Sequence, residues 1–185
     1  AALASMTDAV SISETDGRII DFNEAFARFH KFRSKPECAT TLAEYTGILD
    51  VFFPDGTPAP LDLWAVSRAL RGETALQAEY RLRRKDSGET WFGSYSFGPI
   101  RDHSANIVGA VVVARDVTKQ KQAQLELEEA LRFNQQIIDS AREGVIVYGP
   151  NLRYQVWNPF MEHLTGIPAR EVLGRTPLDV FPFLR

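Results

Sequence analysis

The sequence predicts an α+β fold: a five-stranded antiparallel sheet with helices on one face, then a long connector helix and a partial second unit of the same kind. Three observations predict it. The segment Asp8–Asn23 aligns without a gap on Glu143–Asn158, which indicates two copies of one domain. Apolar periodicity in the first copy reads as two strands, then helices, then three strands. Residues 119–141 contain no glycine or proline and separate the two copies.

The first copy opens with a hairpin that leads into a helix. Residues 9–13 alternate in polarity and predict a strand, and residues 18–22 predict the returning strand. Gly17 lies in the turn between them, where a positive φ is needed. Asn23 is a favoured N-cap residue, so a helix is expected to begin just after it. One face of that helix carries Phe26, Phe29 and His30.

The rest of the first copy supplies one more helix and three strands. Prolines and a glycine between residues 54 and 60 predict an irregular loop. Residues 61–71 predict a helix that ends at Gly72. Strands are predicted at 78–84, 91–97 and 107–115.

The connector carries an apolar seam with heptad spacing. Steps of four and three residues join Leu127, Leu131, Asn134, Ile138 and Ala141. This spacing predicts a coiled coil in a homodimer, with Asn134 fixing the register of the paired helices. The alternative is an amphipathic helix that lies on its own domain.

Composition excludes several classes of function. The chain has 21 Lys and Arg against 24 Asp and Glu, a net charge of −3, which argues against a nucleic-acid partner. The longest apolar run, 107–114, is far shorter than the roughly 20 residues of a membrane span, so no membrane contact by this segment is expected. Cys38 is the single cysteine, which rules out an internal disulfide and a cysteine-based metal cluster. No phosphate-binding or catalytic motif occurs, so no enzyme activity and no metal site are expected.

The domain boundaries follow from these features. We expect a complete domain at residues 1–118, the connector helix at 119–141, and the N-terminal part of a second domain at 142–185. The second copy ends just after Leu178–Phe181, which repeats the tetrapeptide Leu49–Phe52. Because the first methionine is Met6 and no signal peptide is visible, we expect a piece of a longer protein and a cytoplasmic location, with an upstream membrane anchor in the parent left open.

Several local sequences resemble the PAS sensory domain. Asp16-Gly17-Arg18-Ile19 followed by Asn23-Glu24-Ala25-Phe26 is similar to the first PAS hairpin and its helix. Gly98-Pro99-Ile100-Arg101-Asp102 resembles the loop between the last two PAS strands. Asp116-Val117-Thr118 resembles the Asp-Ile-Thr ending that joins a PAS domain to its signalling helix. In the second copy, Asn158-Pro159-Phe160 and Leu173-Gly174-Arg175 resemble the same region in another common PAS style.

The resemblance implies a sensory module that holds a small molecule between the sheet and the helices. The alternation leaves open which face of the sheet points inward, because both faces are partly apolar. The candidate ligand-binding residues are Phe26, His30, Tyr80, Leu82, Phe92, Ser94 and Val111. For each of them, plain core packing is the alternative.

The sequence names no cofactor, and it argues against two that PAS relatives carry. Haem-binding relatives carry the axial histidine in the helix before the third strand, whereas His30 lies in the first helix, which argues against haem. A covalent flavin adduct requires a cysteine in a motif resembling Gly-Arg-Asn-Cys-Arg, which this sequence does not contain.

Asp116 and Thr118 form the expected signal-transmission junction. Thr118 is predicted to cap the connector helix, and Asp116 to interact with the positive end of its dipole. The leading interpretation is the sensory PAS region of a sensor histidine kinase, which passes ligand or redox input through a dimeric connector. The alternatives are a ligand-free PAS dimerisation or spacer module, or the PAS region of a diguanylate cyclase or chemoreceptor.

Overall fold

The computed structural model describes residues 6–184 and divides into two compact units, which meet in sequence between Gln122 and Ala123. The first unit contains a six-stranded antiparallel sheet in the order β2-β1-β6-β5-β4-β3. Its strands are β1 (Ala9–Glu14), β2 (Ile19–Phe22), β3 (Leu49–Phe52), β4 (Ala75–Arg84), β5 (Thr90–Arg101) and β6 (Ile107–Asp116). The predicted fold class is confirmed, with one strand more than expected.

The helices of the first unit are short and lie in the stretch between β2 and β4. They are α1 (Glu24–Phe29), α2 (Leu42–Ile48) and α3 (Ala65–Leu70), with 3-10 helices at Lys35–Glu37 and Leu61–Leu63. The side chain of Asn23 caps α1 as expected, by accepting the backbone N–H of Phe26. A capping box between Thr41 and Glu44 begins α2.

The sequence prediction was wrong at three places in this unit. Leu49–Phe52 forms the edge strand β3, which pairs with β4. The helix predicted over 61–71 is interrupted at Trp64, whose backbone is extended and whose indole N–H donates to the Ala59 carbonyl over 2.8 Å. Strand β5 continues beyond residue 97 into the loop predicted at 99–106 and ends at Arg101, because Gly98–Arg101 pair with β6.

The long helix α4 (Thr118–Ser140) follows β6; it begins one residue before the connector predicted at 119–141 and ends one residue before its end. In the second unit a hairpin of β7 (Ile146–Tyr148) and β8 (Tyr154–Trp157) precedes three short helices. These are α5 (Pro159–Thr165), α6 (Ala169–Val172) and α7 (Pro177–Val180), with a final 3-10 helix at Pro182–Leu184. Tyr154, Trp157 and Val172 are the buried centre of this unit.

The repeat is visible as the same hydrogen-bond pattern around two asparagines. Asn23 accepts the N–H groups of Val10 and Phe26 over 3.0 and 2.9 Å, and donates to the carbonyl of Asp8 over 2.8 Å. These bonds tie the start of the helix to the first strand of the hairpin.

Asn158 repeats the arrangement at the aligned positions of the second copy. It accepts the N–H groups of Val145 and Met161 over 3.0 and 3.2 Å, and donates to the Glu143 carbonyl over 3.0 Å. Both asparagines are buried, at 3% and 1% exposure. Each copy therefore fixes its hairpin to its helix through one buried amide.

The tetrapeptide shared by the two copies does not keep its conformation. Leu49–Phe52 is a strand, whereas Leu178–Phe181 lies in and just after helix α7. In the first copy, the tetrapeptide pairs with β4 and is therefore a strand. In the second copy, Thr176 and Asp179 form a capping box, and a helix therefore begins there. Four identical residues were too short a match to predict the same structure.

We predict that Asn23→Ala destabilises the first unit by about 2–3 kcal/mol, because it removes a cap and leaves buried backbone groups unpaired. Urea unfolding followed by tryptophan fluorescence measures the change. Ser34→Ala is the matched control, since Ser34 is an N-cap without a side-chain capping bond. An Asn23→Ala protein as stable as the Ser34→Ala protein would contradict the role assigned to the amide.

Candidate functional site

A cavity of about 60 Å³ lies in the first unit between the sheet and helices α1 to α3. Its walls are mainly aromatic and aliphatic. The lining residues are Ala9, Ser11, Ile19, Phe26, His30, Leu42, Tyr45, Leu49, Val51, Trp64, Ala65, Val66, Tyr80, Leu82, Tyr95, Val112 and Ala114. Among these lining residues of the described chain, none carries a charged side chain.

The structure decides which face of the sheet points inward. Four of the seven candidate residues, Phe26, His30, Tyr80 and Leu82, line the cavity. Phe92, Ser94 and Val111 do not line it and lie half-buried on the opposite face. Neighbouring residues of a strand point to opposite faces, so Tyr95 and Val112 face the cavity in place of Ser94 and Val111.

Aromatic rings build the wall formed by α1 and α2. The His30 ring lies 4.3 Å from the Phe26 ring and 5.3 Å from the Tyr45 ring, measured between centroids. On the sheet side, the rings of Tyr80 and Tyr95 meet edge to face at 5.3 Å. Tyr45 and Tyr95 were missed as candidates. For Tyr95 the sequence did carry a signal, since it shares one face of its strand with Trp91, Gly93 and Phe97.

His30 is a neutral, buried imidazole. Its Nδ1 lies 3.0 Å from the Phe26 carbonyl oxygen, which can only accept, so Nδ1 carries the proton and Nε2 is left with its lone pair. The pKa of His30 is lowered to about 4, mainly by burial; the Phe26 hydrogen bond opposes this shift, and the nearby Arg84 guanidinium adds to it. At neutral pH His30 therefore offers the cavity an acceptor.

The other polar groups of the lining differ in how they are satisfied. The Tyr80 hydroxyl donates to the Leu63 carbonyl over 2.8 Å and accepts from Arg68 over 3.1 Å. The Tyr45 hydroxyl is buried with no hydrogen-bond partner among the described residues, and the Cys38 thiol is its neighbour. Burial raises the pKa of Tyr45, and that of Cys38 to about 11, so both stay protonated.

The junction between β6 and α4 is organised by Asp116. Its carboxylate accepts the backbone N–H of Thr118 over 2.9 Å and the hydroxyl of the same residue. Thr118 does not cap the helix as predicted: it is the first helical residue, and its hydroxyl accepts the N–H of Phe92 over 3.0 Å. Asp116 therefore supplies the cap, and Thr118 joins the start of α4 to β5.

Lys31 connects this junction to the end of α1. The residue follows His30 directly and has a φ of 61°, a left-handed conformation that is strained for a side chain of this size. Its ammonium lies 3.6 Å from Asp116 and 3.3 Å from Glu89, and 5.2 Å from the centre of the Trp91 ring. The cavity wall and the cap of α4 are thus separated by a single residue.

The predicted dimer seam lies on an exposed surface of α4. Leu127 and Leu131 are each 60% exposed, Asn134 is exposed, and Ile138 is half-buried. Phe133 and Ile137 are also exposed. The apolar surface of the helix is therefore wider than the predicted seam.

The sequence matches two family models. The model described as PAS domain covers residues 7–119, and the model described as PAS fold covers residues 132–184. The chain belongs to the PAS domain family. It is therefore a sensory and signalling module, as the motifs predicted, and the two matched stretches correspond to the two copies of the repeat.

Solved structures support the PAS fold. The chain is similar to an RNA-binding light-oxygen-voltage receptor, with a TM-score of 0.52 and 17% identity, over 71% of this chain and 35% of the receptor. The chain thus spans about a third of that receptor's length. No curated protein matches the sequence.

Two further structures have lower similarity scores. One is a sensory box histidine kinase/response regulator from Burkholderia thailandensis, with a TM-score of 0.48 and 17% identity over 70% of this chain and 92% of that one. The other is the PAS domain of a protein from Colwellia psychrerythraea, with a TM-score of 0.44 and 22% identity over 64% and 92%.

None of the helices in 6–184 combines the length and the apolar character that a membrane span requires. Within the same range, no group of three or more His, Cys, Asp or Glu side chains is placed to hold a metal ion.

We predict that the PAS domain loses stability as the pH falls from about 6.5 to about 4, in part because of His30. The unfolded chain takes up the His30 proton near its ordinary pKa of 6.5, whereas the folded domain resists protonation until about 4. The unfolded state therefore binds more protons within this window. Below pH 4, where His30 is protonated in both states, this difference has lowered the free energy of unfolding by about 3 kcal/mol.

Urea unfolding at pH 7.5 and pH 4.5 tests this, with His30→Phe as the matched variant that keeps a ring in the wall. The variant is expected to lose less stability than the wild type between the two pH values. Titrating carboxylates contribute to both proteins, so the difference between them isolates His30. Equal losses would show that His30 is protonated as easily in the folded as in the unfolded state.

Proposed function

We propose that this chain is the sensory input region of a multidomain sensor histidine kinase, in which occupancy of the cavity in the first PAS domain changes the start of α4. One observation carries the proposal: His30 lines the cavity, and the next residue, Lys31, contacts the carboxylate that caps α4. A movement of His30 is therefore expected to act directly on the helix cap.

The strain at Lys31 supports this role. A left-handed lysine costs of order 1 kcal/mol or more, and such residues persist where their surroundings hold them. Here the Lys31 N–H donates to the Arg28 carbonyl over 3.0 Å, and Arg84 donates to the carbonyls of His30 and Lys31 over 3.1 and 3.4 Å. The end of α1 has one well-defined position, which a ligand can displace.

The helix α4 is proposed to pass the change to its partner in a homodimer. Exposed leucines in heptad spacing favour a second copy of the helix as the covering surface, and Asn134 gives the pair a register. The kinase as the parent protein rests on the resemblance of the sequence motifs. The small size of the cavity favours a second candidate function, a ligand-free dimerisation module, over the binding of a large ligand.

We predict that Asp116→Ala speeds hydrogen exchange in the first two turns of α4, whereas Asp116→Asn has a much smaller effect. Alanine removes both the cap and the charge. The loss of a cap is expected to raise the exchange rate by a factor of about 2–30. Asparagine keeps an oxygen that accepts the Thr118 N–H, and it loses the charge that pairs with Lys31 and interacts with the helix dipole. A half-exposed pair of this kind contributes about 0–1 kcal/mol.

Exchange of the peptide 118–125 in the full chain measures these effects by mass spectrometry. Lys31→Met is expected to have an effect no larger than that of Asp116→Asn, because it keeps the Asp116 charge at the start of α4. Glu89→Gln, which alters the other partner of Lys31, is the control. Unchanged exchange in Asp116→Ala would remove the junction from the mechanism. An equal acceleration throughout β1 to β6 would show a loss of global stability instead.

A further inference from the structure

Four polar side chains of the cavity lack a protein partner for at least one hydrogen-bonding atom. These atoms are the hydroxyls of Ser11, Tyr45 and Tyr95 and Nε2 of His30, and the residues are 4%, 3%, 8% and 7% exposed in that order. Within residues 6–184, no protein group forms a hydrogen bond with any of these four atoms. Buried polar groups are almost always paired with protein, water or ligand, so this set requires an occupant with polar atoms.

The lining also fixes the charge of that occupant. With no charged side chain among the described lining residues, nothing in the wall compensates a buried ion, and transfer of an unpaired ion from water is very costly. The occupant is therefore neutral.

The hydrogen-bonding roles are not symmetric. Because Nδ1 of His30 donates to the Phe26 carbonyl, Nε2 can only accept. Hydroxyls such as those of Ser11 and Tyr95 can both donate and accept. The occupant therefore needs at least one N–H or O–H group, directed at His30, and gains from a second polar atom.

The volume limits the size. A cavity of about 60 Å³ is well below the roughly 300–1,000 Å³ of pockets for drug-sized ligands, and it is large enough for a few water molecules. A molecule of about four non-hydrogen atoms matches this space without movement of α2 or α3.

We propose that the cavity is a specific site for a small uncharged molecule bearing an N–H or O–H donor, such as a short amide or alcohol. The donor is accepted by Nε2 of His30, and the hydroxyls of Ser11 and Tyr95 bind the remaining polar atom. This inference rests on the proposed function, in which the cavity is the input site, and adds the chemical class of the input.

Acetamide, acetone and acetate are matched probes for this proposal. All three have four non-hydrogen atoms and nearly the same shape. Acetamide is neutral and donates N–H, acetone is neutral and has no donor, and acetate carries a charge. Titration of the full, isotope-labelled chain by NMR measures each affinity from the shifts of cavity-lining groups.

Acetamide is expected to bind about three to ten times more tightly than acetone, since one hydrogen bond distinguishes them, and acetate is expected not to bind. His30→Phe should reduce acetamide to the affinity of acetone. Ser11→Ala on the cavity face should weaken acetamide, whereas Ser94→Ala, on the same sheet but on the opposite face, should not.

The failures of the two proposals are distinguishable. Equal affinities for acetamide and acetone, unaffected by His30→Phe and Ser11→Ala, would overturn the donor specificity and leave the cavity as an input site. Tight binding of acetate would overturn the neutral class. If none of the probes moves the cavity signals, the site and its role as the input both fail.

Discussion

The pairing of Asp116 with the first turn of α4 is the constraint on which the functional account depends. One carboxylate accepts the Thr118 N–H and hydroxyl, and it lies 3.6 Å from the ammonium of Lys31 at the end of α1. The Thr118 hydroxyl accepts in turn from Phe92, so α1, β5, β6 and α4 meet at this point. Because exposed ion pairs contribute little energy, the junction is easily altered. A weak ion pair between Lys31 and Asp116 is suited to a contact that changes during signalling rather than to a rigid connection between β6 and α4.

The elements that the sequence predicted well are those with local physical causes. Asn23 and Asn158 are favoured cap residues, and each forms the same three hydrogen bonds in its copy, so the repeat and the start of α1 were predictable. The alternating polarity of residues in β4, β5 and β6 also predicted these strands. The family models covering residues 7–119 and 132–184 agree with the repeat that the alignment revealed.

What could not be predicted depends on long-range pairing. Phe92, Ser94 and Val111 were proposed as lining residues, but they lie half-buried on the outer face of the sheet. Both faces carry apolar residues, so periodicity alone cannot identify the face that points towards the cavity. Leu49–Phe52 becomes a strand only because β4 lies beside it, and the same tetrapeptide at Leu178–Phe181 follows a helix cap instead. The contact between Lys31 and Asp116 joins residues far apart in sequence and leaves no local signal.

The central claim is that the cavity is coupled through Asp116 to the proposed pairing of α4 helices in a homodimer. The most direct test is the dimer dissociation constant of the full chain, measured by sedimentation with and without saturating acetamide, and with acetate as the control. By linkage, a coupled ligand changes this constant by about fivefold or more in the wild type. The change should vanish in Asp116→Ala. The same dissociation constant in the wild type with and without acetamide, despite binding, would contradict the account.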